Sequence, residues 1–238
     1  MLMNRATLAA LLSLAIGCGG SPAPGPTDAR PTEASAERAS RPSGPSVESE
    51  VGGLDESRVK KAFEQSAGKL TACFNRGAER LPYLSGEVRF VIRIKSDGSP
   101  RVAFVKDSTL GDRATEECML GALKAVPWPK PVGGNEGLAE NSFTFEPGAD
   151  ERPPVAWSPE QLGTPFRKAK GELSRCRAGA SGLKVTMYVD TDGKPSAIGA
   201  SSADERGEAA IACVISALQG ITFPSPGSYA AKVTVPID

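Results

Sequence analysis

The sequence predicts an α+β fold that is built twice, as two tandem α-β-β-α-β domains. Each domain is expected to have a three-stranded antiparallel sheet with two helices on one face. Helix-period and strand-period segments follow one another in the same order in both halves of the chain. An Asp-Gly-x-Pro turn joins the first two strands of each half, at Asp97–Gly98 and at Asp192–Gly193. Each half also carries two cysteines in its helical segments.

The two copies keep the same spacing between their marker residues. In both copies the second cysteine follows the Asp of the turn by 21 positions, and an aromatic-Pro pair follows that cysteine by 10 positions. A duplication that keeps its cysteines in step indicates that each copy folds around its own bridge. The markers are Cys73, Asp97, Gly98, Pro100, Cys118, Trp128 and Pro129 in one copy, and Cys176, Asp192, Gly193, Pro195, Cys213, Phe223 and Pro224 in the other.

Helix one is predicted from apolar residues at helical spacing, over about residues 54–76 in the first copy. In the second copy it follows a Ser-Pro-Glu start at residues 158–160. The apolar stripes are Val59, Ala62, Phe63, Leu70, Cys73 and Phe74, and Phe166, Ala169, Leu173 and Cys176. The first cysteine of each copy therefore lies on the buried face of its helix.

The first strand of each copy alternates apolar and polar residues, the pattern of a half-solvated strand. The apolar positions are Val88, Phe90, Ile92 and Ile94, and Leu183, Val185, Met187 and Val189. In the following turn, Gly tolerates a positive φ and Asp bonds its own backbone. Second strands are predicted near residues 101–106 and 196–201.

Helix two carries the second cysteine of each copy on an apolar face. Capping boxes at residues 109–112 and 202–205 precede it. The acidic pair Glu116–Glu117 is interpreted as a solvated helix face or as acids of the first helical turn, rather than as an acid-base pair. The aromatic-Pro pair ends the helix, and closing strands are predicted at 142–145 and 231–235.

The N-terminus resembles a bacterial lipoprotein signal. Residues 1–17 form a short apolar run after Arg5, and Cys18 would be acylated, which leaves an even four cysteines. The alternative is an ordinary cleaved signal with an incidental cysteine. Residues 18–53 have almost no large apolar side chains and are predicted to be a disordered tether. A second linker is predicted at 147–159, between domains 54–146 and 160–238, with Trp157 packed at the junction of the copies.

Composition narrows the class of function. The chain has 28 basic and 28 acidic residues and no histidine. We therefore expect no nucleic-acid partner, no metal site and no cofactor. No nucleophile motif or phosphate-binding loop occurs, so no catalytic residue is predicted. Disulfides Cys73–Cys118 and Cys176–Cys213 are expected, because each pair lies on helix faces that meet one sheet.

The repeated motif resembles the AgmX/PglI C-terminal domain, a member of the TonB C-terminal-like group found in myxobacterial envelope proteins. The resemblance rests on a Leu-x-x-Cys end to helix one, the Asp-Gly turn, a Ser-containing stretch, the helix-two cysteine and the aromatic-Pro pair. It covers about residues 55–146 and 160–238. The residues that carry it, beyond the markers above, are Leu70, Leu173, Ser108, Ser201 and Ser202.

The domain resemblance implies a noncatalytic protein-interaction scaffold or adaptor of the cell envelope. Together with the lipoprotein-like signal, it predicts a lipid-anchored protein that faces the periplasm, and Gly19 after the anchor favours the outer membrane over the inner. The expected partner is an envelope protein or extended peptide that pairs with a closing strand. The candidate residues are Ser142, Phe143, Thr144, Phe145, Lys232, Val233, Thr234 and Val235. Two alternatives stay open: a carrier of a lipid or small apolar ligand, and a thiol-dependent envelope enzyme.

Overall fold

A computed structural model describes residues 51–177 and 179–237 as a mixed α+β structure with antiparallel and mixed sheets. Each half of the described chain contributes two α-helices and one four-stranded sheet. The strand order is β1-β4-β2-β3 in one sheet and β5-β8-β6-β7 in the other. The elements are β1 (Val51–Gly52), α1 (Glu56–Arg80), β2 (Gly86–Lys95), β3 (Pro100–Ser108), α2 (Arg113–Lys124), β4 (Glu136–Phe145), β5 (Val155–Trp157), α3 (Gly163–Arg177), β6 (Leu183–Val189), β7 (Pro195–Ser201), α4 (Glu205–Gln219) and β8 (Ala231–Ile237).

The prediction of three strands per sheet is wrong, because a short fourth strand runs parallel to each closing strand. The strand β1 pairs with Glu136 and Gly137 of β4. In the other half, β5 pairs with residues 231–233 of β8. Segments of two and three residues are too short to show a period of two, so the sequence gives no strand signal there. They lie within the segments predicted to be linkers.

The two Asp-Gly turns have the predicted local chemistry. The Gly98 and Gly193 φ angles are 89° and 82°. The Asp97 carboxylate accepts a hydrogen bond from the Ser99 amide at 2.8 Å, and Asp192 accepts one from the Lys194 amide at 3.1 Å.

The turns also explain the fixed spacing to the aromatic-Pro pair. A Cβ at Gly193 would lie 2.1 Å from the carbonyl oxygen of Phe223, and one at Gly98 would lie 3.0 Å from that of Trp128. The amide of Phe223 donates to the carbonyl of Gly193 at 2.8 Å. Only glycine allows the turn to approach the aromatic segment this closely.

Both second helices begin later than the predicted capping boxes place them, since the boxes would make Thr109 and Ser202 the N-caps. The N-cap of α2 is Asp112, whose side chain accepts from the Thr115 amide. The N-cap of α4 is Asp204, whose side chain accepts from the amides of Arg206 and Gly207. An Asp at the N-cap accepts hydrogen bonds from free amides of the first turn, and its negative charge interacts favourably with the positive end of the helix dipole.

The side chains of the two halves form two apolar clusters. The first contains Phe63, Phe90 and Trp128, and the second contains Phe166, Met187 and Phe223. Tyr188, a residue of the second half, belongs to the first cluster. Both copies lie within one compact unit. Trp157 packs against the core of its own half rather than at the predicted junction.

No helix in the two described ranges is long and apolar enough to cross a membrane.

Candidate functional site

Both expected disulfides are present. Cys73 is joined to Cys118, and Cys176 is joined to Cys213, each linking helix one to helix two of its half. Cys73 and Cys176 are buried, whereas Cys118 is half-buried and Cys213 is exposed. A guanidinium Nη2 of Arg76 donates to Cys118 Sγ at 3.0 Å. Each bridge therefore holds the two helices of its half together.

The predicted lipidation site, Cys18, lies outside the described residues, as do the signal 1–17 and most of the linker 18–53. The Asp97 and Asp192 carboxylates lie on exposed turns, and each bonds residues of its own turn, Ser99 and Lys194 respectively. These hydrogen bonds lower the pKa of both carboxyl groups. Lowered pKa values favour the ionised form and suit a turn-stabilising role.

The outer edge of β4 offers free backbone groups. Glu87 faces Thr144 across the ladder, and Glu87 bonds Thr109 on its other side, through its amide at 3.0 Å and its carbonyl at 2.8 Å. In an antiparallel ladder, the backbone N–H and C=O groups of two opposed residues either point towards each other or both point away from the pair. Those of Glu87 point towards Thr109, so the N–H and C=O of Thr144 point away from β2. The backbone groups of Ser142 have the same orientation, and the Ser142 amide donates to Oδ1 of Asn141 at 3.0 Å.

A groove runs beside this edge. It has a volume of about 430 Å³ and lies between the first turns of α1 and the middle of β4. Its apolar wall is formed by Leu54, Val59 and Phe63 of the helix side. Within the described residues β1 covers only Glu136 and Gly137, so the backbone of β4 from residue 138 to 145 has no strand neighbour on its outer side.

The predicted edge at β8 is partly occupied. The strand β5 pairs with Lys232 and Val233, and the Lys232 ammonium is turned into the contact between the halves. Thr234 and Val235 lie beyond β5, next to a groove of about 310 Å³ between α3 and β8. This second edge is short, because Pro236 follows and has no backbone donor.

The halves meet through a tyrosine cluster that the sequence does not reveal. All three tyrosines of the chain lie here: the Tyr83 ring centroid is 5.5 Å from that of Tyr188 and 5.9 Å from that of Tyr229. The Tyr188 hydroxyl donates to the carbonyl of Ser85 at 3.1 Å. The loop that joins α1 to β2, residues 81–85, therefore contacts the second half.

Lys232 completes the cluster. Its Nζ donates to the same Ser85 carbonyl at 2.6 Å and lies 5.2 Å from the centroid of the Tyr188 ring. Burial lowers the pKa of Lys232 to about 8 and raises the pKa of Tyr188 to about 12. In both cases the low-dielectric surroundings disfavour the charged form.

The edge strands β3 and β7 face each other at the same junction. The amide of Ser202 donates to the carbonyl of Val105 at 3.0 Å. Arg113 pairs with Glu208 across the junction, and these two residues are 95 positions apart, as are the turn Asp residues of the two copies. A contact between equivalent positions indicates that the copies pack about an approximate two-fold axis.

The first half covers the polar face of β6, so the expectation of a half-solvated strand is wrong there. Thr186 and Tyr188 are both buried, and the Thr186 hydroxyl donates to the carbonyl of Ser108 at 3.1 Å. A period of two shows which side chains share a face, but not what covers that face.

The interpretation as a solvated face is also wrong for Glu116, although this residue does lie in the first turn of α2. Its side chain is fully buried, whereas that of the adjacent Glu117 is 61% exposed. Helical periodicity places Glu116 next to the apolar stripe of α2. Ser108 of its own half and the strand around Gly199 of the second half both lie beside its carboxyl group.

Comparison of the chain with known protein families, with curated proteins and with solved structures finds no match in any of the three. The resemblance to the AgmX/PglI C-terminal domain therefore stays a prediction.

Proposed function

We propose that this protein is a noncatalytic envelope adaptor that captures an extended segment of a partner protein along the outer edge of β4. The observation that carries the proposal is the free edge from residue 138 to 145, which lies beside an open groove. Added strands gain affinity from backbone hydrogen bonds and specificity from pockets for alternate side chains. We further propose that each half is one TonB C-terminal-like domain.

The geometry of the edge defines what a captured segment would contact. Its backbone would bond the outward groups of Glu140 and Thr144, since Ser142 already uses a local acceptor. Alternate side chains would face Leu54, Val59 and Phe63 in the groove. The preferred segment is therefore extended, free of proline at its bonded positions, and apolar at every second residue.

Charges at the same edge argue against uncontrolled sheet association. Glu140 lies between two cations, 3.7 Å from Arg89 and 2.7 Å from Lys106. Charged side chains at an edge discourage pairing between two copies of a sheet. The edge is thus open to a matched segment while it is protected from general aggregation.

Replacing Thr144 with proline tests this surface. The change removes one outward N–H and leaves the ladder with β2 intact, so we expect stability within about 1 kcal/mol of wild type and roughly tenfold weaker peptide binding. The probe is a peptide selected from a displayed library of random dodecapeptides on the purified protein, with affinity measured by calorimetry.

Thr144→Val is the matched control, because it alters the side chain and keeps the amide. It should bind the selected peptide as wild type does. Equal affinity for all three proteins, or failure of the library to yield any binder, would contradict capture at β4.

The proposed location is the periplasmic side of the cell envelope, with lipid on Cys18 as the anchor. Two disulfides support an oxidising, non-cytoplasmic compartment. Intact-mass spectrometry of protein extracted from membranes should show a diacyl- or triacylglycerol adduct, and Cys18→Ser should abolish it. An unmodified mass in the wild-type protein would exclude the anchor.

A further inference from the structure

A buried carboxyl group lies at the contact between the two halves, away from the β4 edge. Glu116 projects from α2 towards β7, and a Cβ at Gly199 would lie 2.6 Å from its Oε1. The Ser108 hydroxyl donates to Oε1 at 2.7 Å. Its second oxygen, Oε2, has no hydrogen-bond partner among the described residues. The glycine in the middle of β7 thus makes room for this group.

Among the residues that the structure describes, none supplies an unpaired positive charge next to Glu116. The nearest cation, Arg113, pairs with both Glu117 and Glu208. Asp112, buried on the same helix, is 2.6 Å from Arg80 of α1. From β3 and β6, Asp107 and Lys184 form a pair of their own at 2.6 Å.

These groups leave an excess of negative charge around Glu116. Arg80 and Arg113 oppose three carboxylates, and the Asp107 pair is neutral. Burial is the main cause that raises the pKa of Glu116 to about 7. It outweighs the hydrogen bond from Ser108, the attraction of Arg113 and a backbone hydrogen bond from Ala200, all of which lower the pKa, and the Asp112 carboxylate raises it further. An ionised carboxylate is costly here, because it is desolvated and incompletely paired.

The equivalent position in the second copy is Ile211, 95 positions later, which is also buried. Its counterpart to Gly199 is Phe104. At these two positions one copy therefore has isoleucine and the other a glutamate, and one has phenylalanine where the other has a glycine. Packing alone does not require an ionisable residue at this place, since the other copy fills it with isoleucine.

We propose that Glu116 is a pH-sensitive latch between the two halves, which holds the junction closed while its carboxyl group is neutral and loosens it when the group is ionised. The sign follows from proton linkage. A carboxyl whose pKa is higher in the closed state than in an open, solvated state binds its proton more tightly when closed. The closed state is therefore favoured fully at low pH and loses stability as the pH rises from about 4.5 to about 7.

Residue-resolved hydrogen exchange measures this opening. The Ser202 amide bonds across the junction, whereas the Phe223 amide bonds within the second half. After correction for the intrinsic exchange rate, we expect the protection of Ser202 to fall by up to about tenfold per pH unit between pH 5 and 7 and then to level off. The protection of Phe223 should change much less.

Two variants complete the test. Glu116→Gln keeps the shape but cannot ionise, so the protection of Ser202 should become independent of pH. Glu117→Gln removes the exposed neighbouring carboxylate and should behave as wild type. A flat wild-type profile, a retained slope in Glu116→Gln, or parallel loss of protection at Ser202 and Phe223 would overturn the latch.

Discussion

Removing either disulfide, by replacing both of its cysteines with alanine, should lower the free energy of unfolding by about 4 kcal/mol. The bridges close segments of 45 and 37 residues, and loops of that size give about 4 kcal/mol each in the chain-entropy model. Removing both should approach the whole stability of an ordinary domain, about 5–15 kcal/mol. Urea denaturation followed by circular dichroism is the measurement.

The chemically reduced wild-type protein is the control for the loss of the buried cysteine side chains. Its urea midpoint should match that of the variant without bridges. Its free energy of unfolding should fall more steeply with urea concentration than that of the oxidised protein, because its unfolded chain is more expanded. A loss below about 1 kcal/mol for each bridge would show that the bridges constrain little of the unfolded chain.

The same samples bear on the thiol-enzyme alternative. Cys213 is exposed and Cys118 is beside Arg76, and a neighbouring cation stabilises a thiolate. If millimolar glutathione opens one bridge of the folded protein while the other stays closed, the alternative gains support. If both bridges resist until the chain unfolds, their role is structural.

Replacing Tyr188 with alanine should also cost about 4 kcal/mol, in line with the removal of other large buried aromatic side chains. Tyr188 is fully buried in the core cluster of the first half although it belongs to the second half. Tyr188→Phe removes only the hydroxyl group that bonds Ser85 and should cost about 1–2 kcal/mol.

Tyr188→Ala should in addition uncouple the unfolding of the two halves. The chain has two tryptophans, Trp128 in the first half and Trp157 in the second. Trp128→Phe and Trp157→Phe therefore provide fluorescence probes for one half each. In the wild-type background the two probes should report the same urea midpoint, whereas in Tyr188→Ala the midpoints should separate.

Arg93 is the matched control, because it is the equivalent of Tyr188 in the first copy, 95 positions earlier. It is half-exposed and pairs with Glu136 and Glu205, so Arg93→Ala should cost about 1 kcal/mol. Coincident midpoints in Tyr188→Ala would mean that the halves do not depend on the tyrosine cluster for their coupling.

The candidate binding edge was only partly predictable from the sequence. The closing strands are visible as segments after the aromatic-Pro pairs, and Thr144 proves to have outward backbone groups. The sequence cannot show that β5 covers Lys232 and Val233, since a three-residue strand has no readable period. From the sequence alone the two closing edges are therefore equivalent candidates. In the structure, the longer uncovered edge is that of β4.

The sequence by itself determined the repeat, the order of helices and long strands, the Asp-Gly turns and the pairing of the four cysteines in the described chain. Each of these depends on local spacing, on residue type, or on contacts within one copy. Only the tertiary structure decided how the copies meet: it buries Tyr188, Thr186 and Glu116 and turns Lys232 away from solvent. Such contacts join residues roughly 80 to 150 positions apart, and no periodicity within either copy records them.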